Sequence, residues 1–132
     1  NDVCLSIVGK QEKEYLNNEK VSFIGHGYEA PKLIKIYDDH NISILPSFTE
    51  AHPKVIDESL ARARPVIIFE EIKHIIQNRK GIFVSKRNAK SLLETINFIM
   101  KNYLNIQESM ANNKLPTKKE FILQMSNILR QN

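Results

Sequence analysis

Cysteine occurs once, as Cys4, so no internal disulfide can form, and a lone thiol fits a reducing compartment. It reads as a small apolar residue at a strand edge. No apolar run reaches the roughly 20 residues that span a bilayer. No signal peptide is visible either, because Asn1-Asp2 leads directly into a strand pattern. Such a start is expected of a chain whose N-terminal half lies elsewhere. The pattern Gly-x4-Gly-Lys-Ser/Thr is missing, and with it a P-loop. His26, His40, His52 and His74 form no pair at helical or finger spacing, so no zinc site is expected. A phosphoacceptor receiver would need acids at strand ends. Asp38-Asp39 falls at a helix end instead, where the pair opposes the helix dipole and reads as solvent-exposed.

What is present describes an ordinary α/β domain. The chain has 132 residues, 42% apolar and 26% charged, enough for one globular domain with a real core. The net charge is +4 and the pI about 9.2. The positive charge is spread, with clusters at Lys86-Arg87 with Lys90 and at Lys114 with Lys118-Lys119. No aromatic interleaving or nucleic-acid motif accompanies them, so they read as solvated surface and no nucleic-acid partner is expected. A weak attraction to acidic lipid is compatible with this balance, which suits a cytoplasmic protein with a peripheral contact at the inner face of the membrane.

Short Ile- and Val-rich runs at residues 5–9, 21–25, 41–45, 65–69 and 81–84 are apolar on both faces, as buried parallel strands require. Helical patterns lie between them at 12–17, 31–38, 53–63 and 70–77, and two longer ones follow at 89–104 and 117–130. The polar stretch Asn112-Asn113-Lys114-Leu115-Pro116 separates the last two, and Thr117 with Glu120 forms a capping-box signature. The alternation predicts a three-layer, doubly wound parallel sheet with ligands at the carboxyl ends of the strands.

The site layout lies in Pro46-Ser47-Phe48-Thr49-Glu50-Ala51-His52-Pro53-Lys54-Val55-Ile56-Asp57-Glu58. A strand ends, a loop carries Glu50, and a helix with proline at its first position carries Glu58 about one and a half turns in. The amides of Lys54 and Val55 are then free at the positive helix end, a suitable seat for a phosphate. Acids on either side of an anion pocket suit hydroxyls, and a ligand with phosphates between two polyols is a nucleotide sugar. Each acid also has a plain structural reading. Glu58 stands four residues before Arg62, at ion-pair spacing, and Glu50 can cap the helix. His52 beside Glu50 can donate to a sugar hydroxyl or a phosphate oxygen.

This stretch resembles the donor-binding half of retaining glycosyltransferases of the two-domain GT-B architecture, glycosyl transferases group 1. The family pattern is Pro-Ser, Glu-x7-Glu, then Glu-Ala-x-Ala-x-Gly-Pro-Val-Ile. Here it reads Pro46-Ser47, Glu50 to Glu58, then Glu58-Ser59-Leu60-Ala61-Arg62-Ala63-Arg64-Pro65-Val66-Ile67. Leu5-Ser6-Ile7-Val8-Gly9, Val21-Ser22-Phe23-Ile24-Gly25 and Gly81-Ile82-Phe83-Val84 are similar to flanking strands of that family, so the likeness covers roughly the first hundred residues. The chain departs from it at Ala51, where glycine usually follows the first glutamate, and at Arg64, where glycine usually precedes Pro-Val-Ile.

The resemblance implies a Rossmann-like half of a GT-B fold over residues 1–110, lacking its first strand-helix unit and the phosphate-clamping Arg and Lys on it, with 111–132 a linker and helix of the same domain. It implies a hexosyltransferase acting without metal or resident cofactor, in polysaccharide or glycolipid synthesis, with Glu50 catalytic. The donor is bound by Glu58, Ser47, Thr49, Ala51, His52, Pro53, Lys54, Val55, Gly25 and His26, and a separate N-terminal domain binds the acceptor. This chain alone would be inactive. Two alternatives stand beside this reading. One is a non-catalytic binding module of the same fold, suggested by Arg64 and Ala51. The other is a dinucleotide-binding domain, suggested by Gly25-His26-Gly27-Tyr28-Glu29-Ala30, although Pro46-Ser47 occupies the place where a ribose-binding acid is wanted.

Overall fold

The computed structural model describes residues 3–9, 19–25 and 28–130. They form two compact units, Asn1–Leu33 and Ile34–Asn132. In the first, β1 (Leu5–Val8) and β2 (Val21–Gly25) pair in parallel, with a register shift between Ile7 and Val8. Gly25 ends β2 at φ +87, a left-handed conformation suited to glycine, and a Cβ there would stand 3.1 Å from the Tyr28 hydroxyl. The helix expected at 12–17 lies outside the described residues, as does His26.

The second unit is built on three parallel strands in the order β3 (Ser43–Leu45), β4 (Val66–Phe69), β5 (Ile82–Ser85). All four residues of β4, Val-Ile-Ile-Phe, are buried. A strand that is apolar at every position must be covered on both faces, and the cover here comes from helices on either side of it in sequence. Ile56 and Leu60 of α2 (Lys54–Ala61), Ile99 of α3 (Ala89–Lys101), and Ile106 and Met110 of α4 (Tyr103–Met110) complete one core. α1 (Ala30–Asp38) crosses the unit boundary, and α5 (Lys118–Arg130) closes the described chain. Strands and helices alternate and every strand pair is parallel, which is the α/β architecture expected.

Two helical expectations need correction. The segment Glu70–Ile76 is a 3-10 helix broken at Ile72 rather than an α-helix. Side chains three apart eclipse in that geometry, which sends Ile72 and Ile75 together into the core. The pattern at 89–104 stops at Asn102, whose side-chain amide donates to the Phe98 carbonyl at 2.8 Å, and a separate helix, α4, follows. α5 begins as its capping box requires. The Thr117 N–H and hydroxyl both donate to Glu120 Oε2, and the Glu120 N–H donates to Thr117 Oγ1 at 3.2 Å.

The end of α2 shows which residue of this turn takes the left-handed conformation. The Ala63 N–H reaches the Leu60 carbonyl at 3.0 Å and the Arg64 N–H reaches the Ser59 carbonyl at 3.0 Å, the paired closure of a Schellman motif. Ala63 stands at φ 52 to make it. The position that calls for glycine is therefore Ala63, one residue before Arg64. We expect Ala63→Gly to raise stability by about 0.5–1 kcal/mol, the relief of left-handed strain less the entropy glycine adds to the unfolded chain. Denaturant unfolding checks it, and a lower midpoint for the variant would contradict the strain argument.

Candidate functional site

The loop between β3 and α2 carries most of the expected site. Pro53 has φ −73 and ψ 116, an extended conformation, so it is the N-cap and Lys54 is the first helical residue; the proline does not occupy the first helical position. No side chain caps this end, so Glu50 is not a helix cap. Its carboxylate instead accepts from Ser47 Oγ at 2.7 Å, and its carbonyl meets His74 Nε2 at 2.9 Å. The first amides of α2, on Lys54 and Val55, keep the open donors that every helix start leaves. Thr49, Ala51, His52, Lys54 and Val55 are exposed, while Ser47 and Glu50 are half-buried.

Glu58 projects from α2 between the buried face, set by Ile56, Ser59 and Leu60, and the exposed one. Its Oε2 accepts from the Tyr37 hydroxyl at 3.1 Å. Burial first, and then the adjacent Glu58 charge, raises the Tyr37 pKa, so the phenol stays protonated as a donor. The ion pair expected between Glu58 and Arg62 does not form. Arg62 donates from Nε and Nη2 to the two carboxylate oxygens of Asp38, at 2.8 and 2.7 Å. Asp38-Asp39 is thus an engaged pair, with Asp39 held by Lys35 at 2.9 Å. Arg64 finds its room by donating to the carbonyls of Tyr37 and Asp38, each at 3.0 Å, and to the Tyr103 hydroxyl at 3.3 Å. It ties the end of α1 to the region after α2.

His52 turns from Glu50 toward Asp57, with Nε2 at 3.1 Å from Oδ2. Arg79, only 9% exposed, takes the other Asp57 oxygen at 2.6 Å. Gly25 belongs to the first unit. Sequence reasoning missed Tyr37, His74 and Arg87. Arg87, in the basic cluster that reads as solvated surface, donates to the carbonyls of Pro46 and Ser47, each at 3.0 Å. Its guanidinium also binds Glu71 and lies over the rings of Phe48 at 3.8 Å and Phe69 at 4.3 Å. The available signal was its position just past the carboxyl end of β5, where ligand-side loops of a parallel sheet converge.

Among the described residues no three His, Cys, Asp or Glu side chains converge to hold a metal ion, and no helix is long and apolar enough to cross a membrane. A shallow hollow of about 280 Å³ between β5 and α3, lined by Phe83, Val84, Ser91, Glu94, Thr95 and Phe98, shares no residue with the loop.

Three surface carboxyls have lowered pKa values: Asp38 through hydrogen bonds from Arg62, Glu71 through those from Arg87, and Glu120 through those from Thr117. A folded-state pKa below the unfolded one gives stability that is present above the unfolded value and lost as pH falls through the folded value. The thermal midpoint is therefore expected to drop as pH is lowered from about 5 to about 3. Glu71→Gln should make that drop shallower in a calorimetric pH series. An unchanged slope would mean the Arg87 contact contributes nothing.

Parallel strands alternating with helices define an α/β domain of Rossmann-like layout, in which the loop carrying Glu50 leads from the carboxyl end of β3 into the uncapped start of α2. The sequence model of the family described as glycosyl transferases group 1 matches residues 1–102, and the chain belongs to that family. No curated protein sequence matches it. Among solved structures it is similar to sucrose-phosphate synthase from Thermosynechococcus elongatus, with a TM-score of 0.69 and 22% identity over 86% of this chain. The chain spans 30% of that protein's length.

Proposed function

We propose that this chain is the donor-binding domain of a retaining glycosyltransferase that moves a hexosyl group from a nucleotide diphosphate sugar to an acceptor held by a separate N-terminal domain. One observation carries the reading. Along the chain Glu50 precedes and Glu58 follows the uncapped start of α2, and each carboxylate accepts from a hydroxyl, Ser47 for one and Tyr37 for the other.

In this reading Glu58 accepts hydrogen bonds from the ribose diol, through the oxygen that Tyr37 leaves open. Glu50 orients hydroxyls of the donor sugar, with Ser47 fixing one of its oxygens. The amides of Lys54 and Val55 receive the diphosphate and stabilise the negative charge that grows on it as the glycosidic bond breaks. Helix dipole and basic residues can neutralise that charge without a metal ion. Closure against the acceptor domain would exclude water that otherwise hydrolyses the donor. Thr49, Ala51 and His52 are exposed along the same approach, whereas Pro53 is buried and shapes the turn beneath it.

The family match over residues 1–102 supports this reading over a dinucleotide-binding domain, because it takes in the Gly25-to-Ala30 segment as well. The non-catalytic module loses one of its two motives, since Arg64 is explained by the carbonyls it binds. Sugar transfer by the full-length protein, assayed across UDP-, GDP- and ADP-sugars, tests the proposal. Absence of turnover with every donor, alongside retained nucleotide binding, would favour the module.

A further inference from the structure

We infer that Arg87 is a positioning residue that holds the β3–α2 loop, and through it Glu50, in the orientation that meets the sugar half of the donor. The inference rests on the reading of Glu50 proposed above. Arg87 lies just beyond β5, 40 and 41 residues from the two carbonyls it binds. Its Nη1 donates to Pro46 and its Nη2 to Ser47, while Nε and Nη2 face the two oxygens of Glu71 at 3.1 and 3.3 Å. The guanidinium lies over Phe48 and Phe69, whose ring centroids are 3.8 and 4.3 Å from its central carbon. Ser47, whose carbonyl is thereby fixed, is the residue whose hydroxyl donates to Glu50 at 2.7 Å. A continuous series of contacts thus runs from Glu71 through Arg87 and Ser47 to the Glu50 carboxylate.

A fixed, planar fork is the chemical requirement. Two carbonyls of adjacent residues and a carboxylate are met at once beside two aromatic rings, which a planar, five-donor guanidinium suits better than an ammonium. Among the described residues the contacts of Arg87 go to the β3–α2 loop, to Phe69 and to Glu71. Glu58 and the start of α2 receive no contact from Arg87, so the nucleotide half of the proposed donor site should be indifferent to it.

The test uses the full-length protein. Binding is measured by calorimetry for UDP and UDP-glucose, GDP and GDP-mannose, and ADP and ADP-glucose, and transfer by steady-state turnover with the pair that binds. Arg87→Lys is expected to leave nucleoside diphosphate affinity within about twofold while lowering kcat about 10–100-fold, the scale of a displaced catalytic group. Glu71→Gln, which leaves the arginine in place, should lower kcat in the same direction by less. The double variant Arg87→Lys with Glu50→Gln should be no slower than Glu50→Gln alone, since both act through one carboxylate.

A merely structural arginine would lower the thermal midpoint and diphosphate affinity together and give additive losses with Glu50→Gln. Either of those results, or an unchanged kcat in Arg87→Lys beside a slow Glu50→Gln, overturns the inference and leaves the reading of Glu50 intact. Wild-type transfer by Glu50→Gln, or binding of none of the pairs, removes that reading and this inference with it.

Discussion

Glu50→Gln in the full-length protein is expected to lower kcat for sugar transfer by about 10²–10³-fold while leaving nucleoside diphosphate affinity nearly unchanged. The substitution is close to isosteric, and the amide oxygen can still accept from Ser47, so the loop should keep its shape. What disappears is the negative charge and the strength of its hydrogen bonds to sugar hydroxyls. Charge-assisted bonds are roughly twice as strong as neutral ones, and those that tighten as the glycosidic bond breaks act on kcat rather than on KM. A drop in kcat of less than about fivefold would show that Glu50 supports the loop and nothing more. A fall confined to KM would place it in ground-state binding only. The thermal midpoint separates both results from damage to the fold, because the Glu50 carbonyl, which meets His74, is untouched by the change.

Local chemistry made much of this fold readable. β4 is four consecutive apolar residues, and no environment other than the centre of a covered sheet suits them. Thr117 and Glu120 announce the start of α5 because both halves of that cap lie within one turn. The strand-loop-helix order around Glu50 was equally plain, since Pro46 and Pro53 bracket a stretch with no periodicity. Pattern failed where two geometries share one spacing. Ile72 and Ile75 are three apart, which an α-helix and a 3-10 helix both bury, so the spacing alone does not decide between them.

Side-chain partners were the part that sequence could not reach. Glu58 and Arg62 have the spacing of a helical ion pair, yet Arg62 is captured by Asp38, 24 residues away, with both oxygens engaged. Tyr37 meets Glu58 across 21 residues, and Arg64 meets Tyr37 across 27. These contacts exist because the C-terminal turn of α1 lies beside α2. That placement follows from sheet topology rather than from any local pattern. The same reason hid Arg87, whose partners at Pro46 and Ser47 come from the loop after a different strand. Arg64 shows the converse. It stands where a glycine is usual in the resembling family, but the residue of this turn at positive φ is Ala63, and the long cation at 64 ties the carbonyls ending α1.

Glu58→Ala is expected to weaken nucleoside diphosphate binding by about 1.5–3 kcal/mol, or roughly 10–150-fold, the scale of hydrogen bonds to a charged acceptor. The carboxylate has two oxygens, and among the described residues only Oε2 has a protein donor, Tyr37 at 3.1 Å. A ribose diol offers two hydroxyls at a spacing that suits the remaining lone pairs, so the loss should fall on the nucleoside and appear equally with and without the sugar. That makes it the reverse of the Glu50 result. Tyr37→Phe supplies the companion measurement. It removes one donor but leaves the charge, so affinity should fall by less than in Glu58→Ala, because the carboxylate is freed to rotate rather than lost. If Tyr37 and Glu58 act as one unit, the double variant should bind no worse than Glu58→Ala alone. Calorimetric titration of the full-length protein with UDP, GDP and ADP reads all three variants. Unchanged affinity in Glu58→Ala would assign the carboxylate to a structural pairing with Tyr37, and the helix start would then lack the nucleoside anchor that a diphosphate seated there requires.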